Sequence, residues 1–155
     1  MTSACLGVKL YLVEESRKIL IVADDDARSQ GMAQCIAAVV KPPMFEGCSV
    51  SVMKADAFYG TDILPAHAFF IGCVAPSPPS FTYIEMLFER INLAGRPCGV
   101  FSCAPKALRY LSGLVGASEA SMGKPLLAKS GAADEAKLRE WVRRILETEK
   151  RQWAS

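Results

Sequence analysis

The stretch Lys18-Ile19-Leu20-Ile21-Val22-Ala23-Asp24-Asp25-Asp26 decides the fold. Its apolar run has no polar face, as befits a central strand of a parallel sheet that is buried on both sides. The acids after it open a polar turn running to Gln30. Beyond that turn Met32, Cys35, Ile36 and Val39 recur at helical spacing, and Pro42-Pro43 ends that helix.

Strand, turn and helix then repeat. Ser49-Val50-Ser51-Val52-Met53 reads as a second strand and Ala68-Phe69-Phe70-Ile71-Gly72-Cys73-Val74 as a third. Cys98-Gly99-Val100-Phe101-Ser102 reads as a fourth, and Leu126-Leu127-Ala128 as a short fifth. Ala75-Pro76-Ser77-Pro78-Pro79-Ser80 is a stiff loop. Thr82 and Glu85 have capping-box spacing, ahead of a helix carrying Ile84, Leu87, Phe88 and Ile91 and ended by Gly95 and Pro97. Ala104-Pro105-Lys106 leads into a helix over Ala107 to Val115, and Gly113, Gly116 and Gly123 break the chain around and beyond its end. The last helix starts near Asp134, buries Leu138, Trp141, Val142 and Ile145, and pairs Glu135/Arg139, Glu140/Arg144 and Glu147/Arg151 on its wet side. Residues 1–17, with Val8, Leu10 and Leu12 alternating, stand outside this rhythm as an extension or an extra edge strand; the domain proper is 18–155.

Five strands alternating with helices predict a three-layer α/β/α sandwich around a five-stranded parallel sheet. Ligands of such sheets bind beyond the carboxyl ends of the strands, where strand order reverses. Three loops are therefore the candidate site: Asp24 to Gln30, Cys73 to Ser80, and Cys103 to Tyr110.

The chain has 155 residues, enough for one domain. Eighteen Lys and Arg against 16 Asp and Glu leave a net charge of +2, too balanced for a protein that works by neutralising nucleic-acid phosphates. No apolar run reaches the roughly 18 residues of a membrane span, and the start Met1-Thr2-Ser3-Ala4-Cys5 has no charged region leading into an apolar core. Six cysteines without a CxxC pair and one histidine, His67, make a zinc site improbable. Cys98 and Cys103, five apart on what reads as one strand, fall on opposite faces and cannot bridge there. The cysteines read as reduced, buried and small in a cytoplasmic protein.

Several segments resemble flavodoxins. Phe70-Ile71-Gly72-Cys73 looks like the end of the third strand of short-chain flavodoxins, and Gly95-Arg96-Pro97-Cys98-Gly99-Val100-Phe101 like the lead-in to their fourth. Cys103 through Arg109-Tyr110 to Gly113 has the length of their second flavin loop. Leu126 to Ile145 resembles their last strand and helix, and Lys54-Ala55-Asp56-Ala57 suits the end of their second strand. The resemblance covers residues 18 to 147 and implies strand order 2-1-3-4-5 and FMN as cofactor. It would place the phosphate on Ala27, Arg28, Ser29 and Gln30. One ring face would meet Val74, Ala75, Pro76 and Ser77, and the other Cys103, Ala104, Pro105, Leu108 and Tyr110. Electron transfer to a redox partner protein would be the function.

The sequence departs from the family pattern at each of these places. The family's phosphate loop, Ser/Thr-x-Thr-Gly-x-Thr, cradles the dianion with hydroxyls and backbone N–H groups; here it reads Asp24-Asp25-Asp26-Ala27-Arg28-Ser29-Gln30-Gly31. Each pair of like unit charges about 6 Å apart costs about 3 kcal/mol at an effective dielectric near 20, and Arg28 is the one new cation. The first ring loop offers proline and valine, with Phe81 and Tyr83 nearby. The family's stacking tyrosine aligns with Leu108, while Tyr110 keeps the second one. A positive net charge also differs from the acidic flavodoxins. A second reading is therefore a flavodoxin-fold module that has lost flavin and serves as a binding or regulatory domain. A flavin-dependent quinone or azo reductase is a third, for which 155 residues leave little room.

Two further readings rest on local chemistry. The acids after the first strand also look like the Mg²⁺-binding start of a receiver domain. Ser102 and Lys129 answer two other positions of that pattern, but Gly72-Cys73 stands where the phosphoacceptor Asp belongs. The simpler role of the acids is to stabilise a helix N-terminus, with Ser29 competing as its cap. Cys73 and Cys103, on neighbouring loops, are a conceivable redox pair, though only Lys106 is near enough in sequence to lower a thiol pKa. His67, Lys106 and Arg109 read as surface residues.

Overall fold

The computed structural model describes residues 17–40, 47–128 and 134–154, with side chains to 147 in the last segment. β1 (Arg17–Ala23) leads into α1 (Ala27–Val40), and β2 (Cys48–Lys54) into a 3₁₀ turn and the short α2 (Gly60–Ile63). Next come β3 (Ala68–Gly72), a 3₁₀ turn over Pro79–Phe81, α3 (Thr82–Arg90), β4 (Pro97–Ser102) and α4 (Pro105–Ala117). β5 (Ser121–Met122), β6 (Leu126–Leu127) and α5 (Glu135–Ala154) are the last elements. The expected extra strand in residues 1–16, the Pro42-Pro43 stop and Lys129 lie outside the described residues.

Every strand pair is parallel, in the order β2-β1-β3-β4-β5, with β6 also on β4. The fifth strand is thus two pieces. Met122 pairs Cys98 and Leu126 pairs Phe101, so Gly123, Lys124 and Pro125 oppose only Gly99 and Val100. This is a bulge, and it contains Pro125, which has no ladder donor to lose.

Apolar residues on both faces of β1, β3 and β4 build two cores. Ile19, Ile21, Phe70 and Phe101 pack under α1 and α5; Leu20, Val22, Phe69, Ile71 and Val100 pack under α2, α3 and α4. β3 and β4 are locked by size. Phe101 covers Gly72, where a Cβ would stand 2.2 Å from the ring, and Phe70 covers Gly99, where a Cβ would stand 2.7 Å from that ring. The register pairs the same residues, Gly72 with Phe101 and Phe70 with Gly99.

Local details depart from the sequence pattern. Cys35 is exposed, because Ala33, Ala37 and Val40 join Met32, Ile36 and Val39 as the buried stripe of α1. α3 ends at Arg90, before Gly95. Gly113 and Gly116 lie inside α4 with open space where a side chain would go, so they weaken the helix without breaking it. α5 begins as expected: Asp134 Oδ1 caps the Ala136 N–H at 2.8 Å, and Glu135–Arg139 and Glu140–Arg144 form their pairs. The Leu138, Trp141, Val142 and Ile145 stripe is buried.

Candidate functional site

The carboxyl ends of β1, β3 and β4 converge, and hydrogen bonds join their loops. The Asp24 N–H reaches the Gly72 carbonyl at 3.2 Å, and the Val74 N–H donates to Asp24 Oδ2 at 3.3 Å. Ser102 Oγ donates to the Cys73 carbonyl at 2.5 Å and accepts from the Ala104 N–H at 3.0 Å.

At the first loop the helix starts earlier than expected. Ala27, Arg28, Ser29 and Gln30 form the first turn of α1. Asp26 is its cap, accepting the Arg28 N–H at Oδ1 (2.8 Å), while its carbonyl takes the Gln30 N–H at 3.0 Å. The Arg28 side chain turns back onto the same carboxylate, at 3.0 and 3.1 Å. Those bonds hold the Asp26 carboxyl below its ordinary value. Gln30 fills the inside of the turn, donating to the Asp24 carbonyl at 2.8 Å and the Ala23 carbonyl at 3.4 Å.

Ser29 caps nothing. It is buried, and its Oγ has no hydrogen-bond partner; nor has Oδ1 of Asp24, a residue only 4% exposed. Burial pushes the Asp24 carboxyl up, against the pull of the nearby Ser29 hydroxyl and the Val74 N–H. Asp25 is exposed. The three acids thus have different tasks, and among the described residues no group of three His, Cys, Asp or Glu could hold a metal ion.

The second loop is tied down by Glu85. Ser77, at φ 47°, donates from Oγ to Glu85 Oε2 at 2.7 Å, and Tyr110 Oη donates to the same oxygen at 2.6 Å. These bonds hold the Glu85 carboxyl below its usual range, the tyrosine contributing most. Glu85 therefore does not make the capping box its spacing suggested: a 3₁₀ turn precedes α3, and Thr82 Oγ1 donates back to the Pro79 carbonyl at 2.9 Å. Val74 and Pro78 are partly buried, and Ala75, Pro76 and Ser77 exposed.

The third loop almost vanishes. α4 begins at Pro105, leaving only Cys103 and Ala104 between it and β4. Proline at a first helical position loses no hydrogen bond. Leu108 and Tyr110, which the resemblance sets on a ring-stacking loop and the apolar spacing sets on a helix, are helical. Leu108 packs on the core, and Tyr110 sets its ring 6.2 Å from Phe81. Burial and the Glu85 carboxylate both push the Tyr110 phenol up.

Cys103 lies past the end of β4, so the opposite-face argument for Cys98 and Cys103 does not apply. Cys73 is buried, donates to the Ala75 carbonyl at 3.2 Å, and has its thiol pushed up to about 12 by burial; such a thiol is no nucleophile at neutral pH. His67 is more than a surface residue: its Nδ1 accepts the Lys18 N–H at 3.0 Å and its backbone N–H reaches the Lys18 carbonyl at 2.8 Å, fixing the lower edge of β1. Lys106 and Arg109 are exposed.

The residues present do not fit FMN as the resemblance implied. A phosphate at the α1 N-terminus meets the Asp26 carboxylate already bound there, with Arg28 spent on it. The loop that would stack on the ring is two residues long. Composition would not have revealed either; the spacing Asp26-x-Arg28, two residues apart at a helix start, is the signal available in sequence.

Sheet order, helix placement and converging loops define a flavodoxin-like fold, and solved structures agree. A short-chain flavodoxin associated with a non-canonical PDU bacterial microcompartment superposes with TM-score 0.71 at 10% identity, over 86% of this chain and 99% of that one. Flavodoxin from Streptococcus pneumonia TIGR4 gives 0.67 at 17%, over 87% and 99%. A variant flavo di-iron protein from Thermotoga maritima gives 0.64 at 16%, over 94% of this chain but 40% of the larger one. No protein-family model matches the chain, and no curated protein matches it. At these identities the likeness is one of fold.

Proposed function

We propose that this chain is a divergent flavodoxin-fold module that does not hold FMN through a phosphate cradle and works as a binding or regulatory domain. The observation that carries this reading is the Asp26 carboxylate at the α1 N-terminus, satisfied by the Arg28 N–H and guanidinium. A helix N-terminus is an anion site; here the chain supplies the anion. The two-residue third loop and the Glu85 clamp on Ser77 and Tyr110 support the same conclusion.

The second reading is an FMN-binding electron carrier with a protein redox partner. The sheet order and the meeting of three loops at its switch point favour it. Titration of FMN, followed by flavin absorption and fluorescence, separates the two. The binding-module reading expects no saturable change with the natural chain, and a gain of affinity when Asp24, Asp25 and Asp26 are replaced by Ser or Thr. A natural chain that binds FMN tightly, and riboflavin much more weakly, overturns it, because the phosphate would then be recognised.

A further inference from the structure

We propose that the groove between α5 and the bulged edge strand binds a small amphipathic carboxylate, with an acyl or aryl body and one anionic end. The open groove has a volume of about 890 Å³, within the range of roughly 300–1,000 Å³ typical of ligand clefts. It lies on the flank of the sheet, shares no residue with the three loops at the carboxyl ends, and stands whether or not FMN binds there.

The sequence creates it. The bulge at Gly123-Lys124-Pro125 is held against α5, and Gly123 leaves room there for Ile145, which a Cβ would approach to 2.8 Å. Leu126, Trp141 and Ile145 give the groove apolar walls. Trp141 Nε1 already donates to the Lys124 carbonyl at 2.5 Å, so the indole's only polar atom is satisfied; Trp141 and Ile145 are themselves buried, and the accessible carbon is that of Pro125, Leu126 and Ala136.

Charge sets the polarity of the ligand. Lys124 and Lys137 line the groove, are exposed, and form no ion pair among the described residues. Glu140 is the groove's one carboxylate among them, and it is held by Arg143 and Arg144. An anion entering here therefore meets two available ammonium groups and no uncompensated acid. An alkyl or aryl tail laid on Pro125 and Leu126, beside Trp141, puts its carboxylate within the range of those lysines, which can track it on their flexible stems.

Dodecanoate, kept below its micelle concentration, is the probe, added to the full chain carrying Trp153→Phe so that Trp141 alone reports. The expected result is a saturable change in Trp141 emission at one ligand per chain, confirmed by calorimetry. The double variant Lys124→Ala/Lys137→Ala should weaken binding about tenfold, as should exchange of dodecanoate for neutral dodecanol. The proposal is overturned by a flat titration. It is equally overturned if dodecanoate, dodecanol and the lysine variant all give one affinity, which would mean adsorption to apolar surface without recognition of the anion. Circular dichroism of the lysine variant, expected to match the parent, distinguishes lost binding from lost fold.

Discussion

Replacing Asp24 by Asn should stabilise the protein. Asp24 is 4% exposed, and of its two carboxylate oxygens one receives a long bond of 3.3 Å from Val74 while the other has no partner. Asp26 adds a like charge, and Arg28 is engaged elsewhere. A buried acceptor left without its hydrogen bond costs about 1–3 kcal/mol. Asparagine keeps the shape and the Val74 bond, removes the charge, and brings an N–H₂ within reach of the unpartnered Ser29 Oγ. The expected gain is about 1–2 kcal/mol near neutral pH, or a rise in Tm of about 3–6 °C at roughly 3 °C per kcal/mol for a domain this size. The pH dependence is the sharper test. Burial raises the folded-state value of Asp24 above the ordinary 3.8, so the native state holds the proton more tightly than the unfolded chain. Asp24's own contribution to stability must then fall as pH rises from that ordinary value through the raised one, and stay level above it. The variant lacks this loss. Urea unfolding of both chains between about pH 4 and pH 8 should show curves that nearly meet at the acid end and separate toward neutrality. A variant less stable than its parent near pH 7, or an advantage equal at both ends, refutes the argument from an ionised orphan.

Three other outcomes can be checked. Tyr110→Phe removes the strongest bond to Glu85 and should cost about 1 kcal/mol by chemical denaturation. Because Glu85 is held below its usual range, that stabilisation is present above the ordinary Glu value and fades as pH falls through the lower folded one, so the penalty should shrink in acid. Gly72→Ala drives a methyl to 2.2 Å from Phe101 and should lose about 1–3 kcal/mol; adding Phe101→Leu should recover part of it, measured as a coupling in a double-mutant cycle. A maleimide at about pH 7.5, with peptide mapping of the native protein, should modify exposed Cys35 and spare Cys73 and Cys98, whose thiols burial pushes up; labelling of Cys73 as fast as Cys35 would contradict its burial.

Much of the architecture could be read from one dimension because burial on two faces leaves an unmistakable trace. β1, β3 and β4 are continuous apolar runs, and the acids and prolines after them place the turns. The finer misreadings share a cause: each local signal had a competitor elsewhere in the fold. Thr82 and Glu85 have the spacing of a box, but Glu85 is drawn off by Ser77 and Tyr110, residues 8 before and 25 after it. Gly113 and Gly116 should interrupt a helix, yet packing of Leu111 and Val115 beneath them outweighs a propensity cost of about 1 kcal/mol each. Cys35 fits a helical stripe that alanines fill instead. At the loops, three acids in a row do not say which is buried, which caps and which is free; only the path of the backbone from β1 to α1 distributes them. The third loop gives way to helix two residues before the helix start that the apolar spacing suggests, because Pro105 serves equally as a loop residue or as a helix start.

The carboxylate of Asp26 has a consequence for the life of the protein rather than for its chemistry. Proteins that leave a helix end bare for a ligand are completed by that ligand, and their stability rises and falls with its supply, by RT ln(1 + [L]/Kd). Here the helix end is finished by the chain itself when it folds. On the binding-module reading, starving a cell of flavin should leave its abundance and its resistance to proteolysis unchanged.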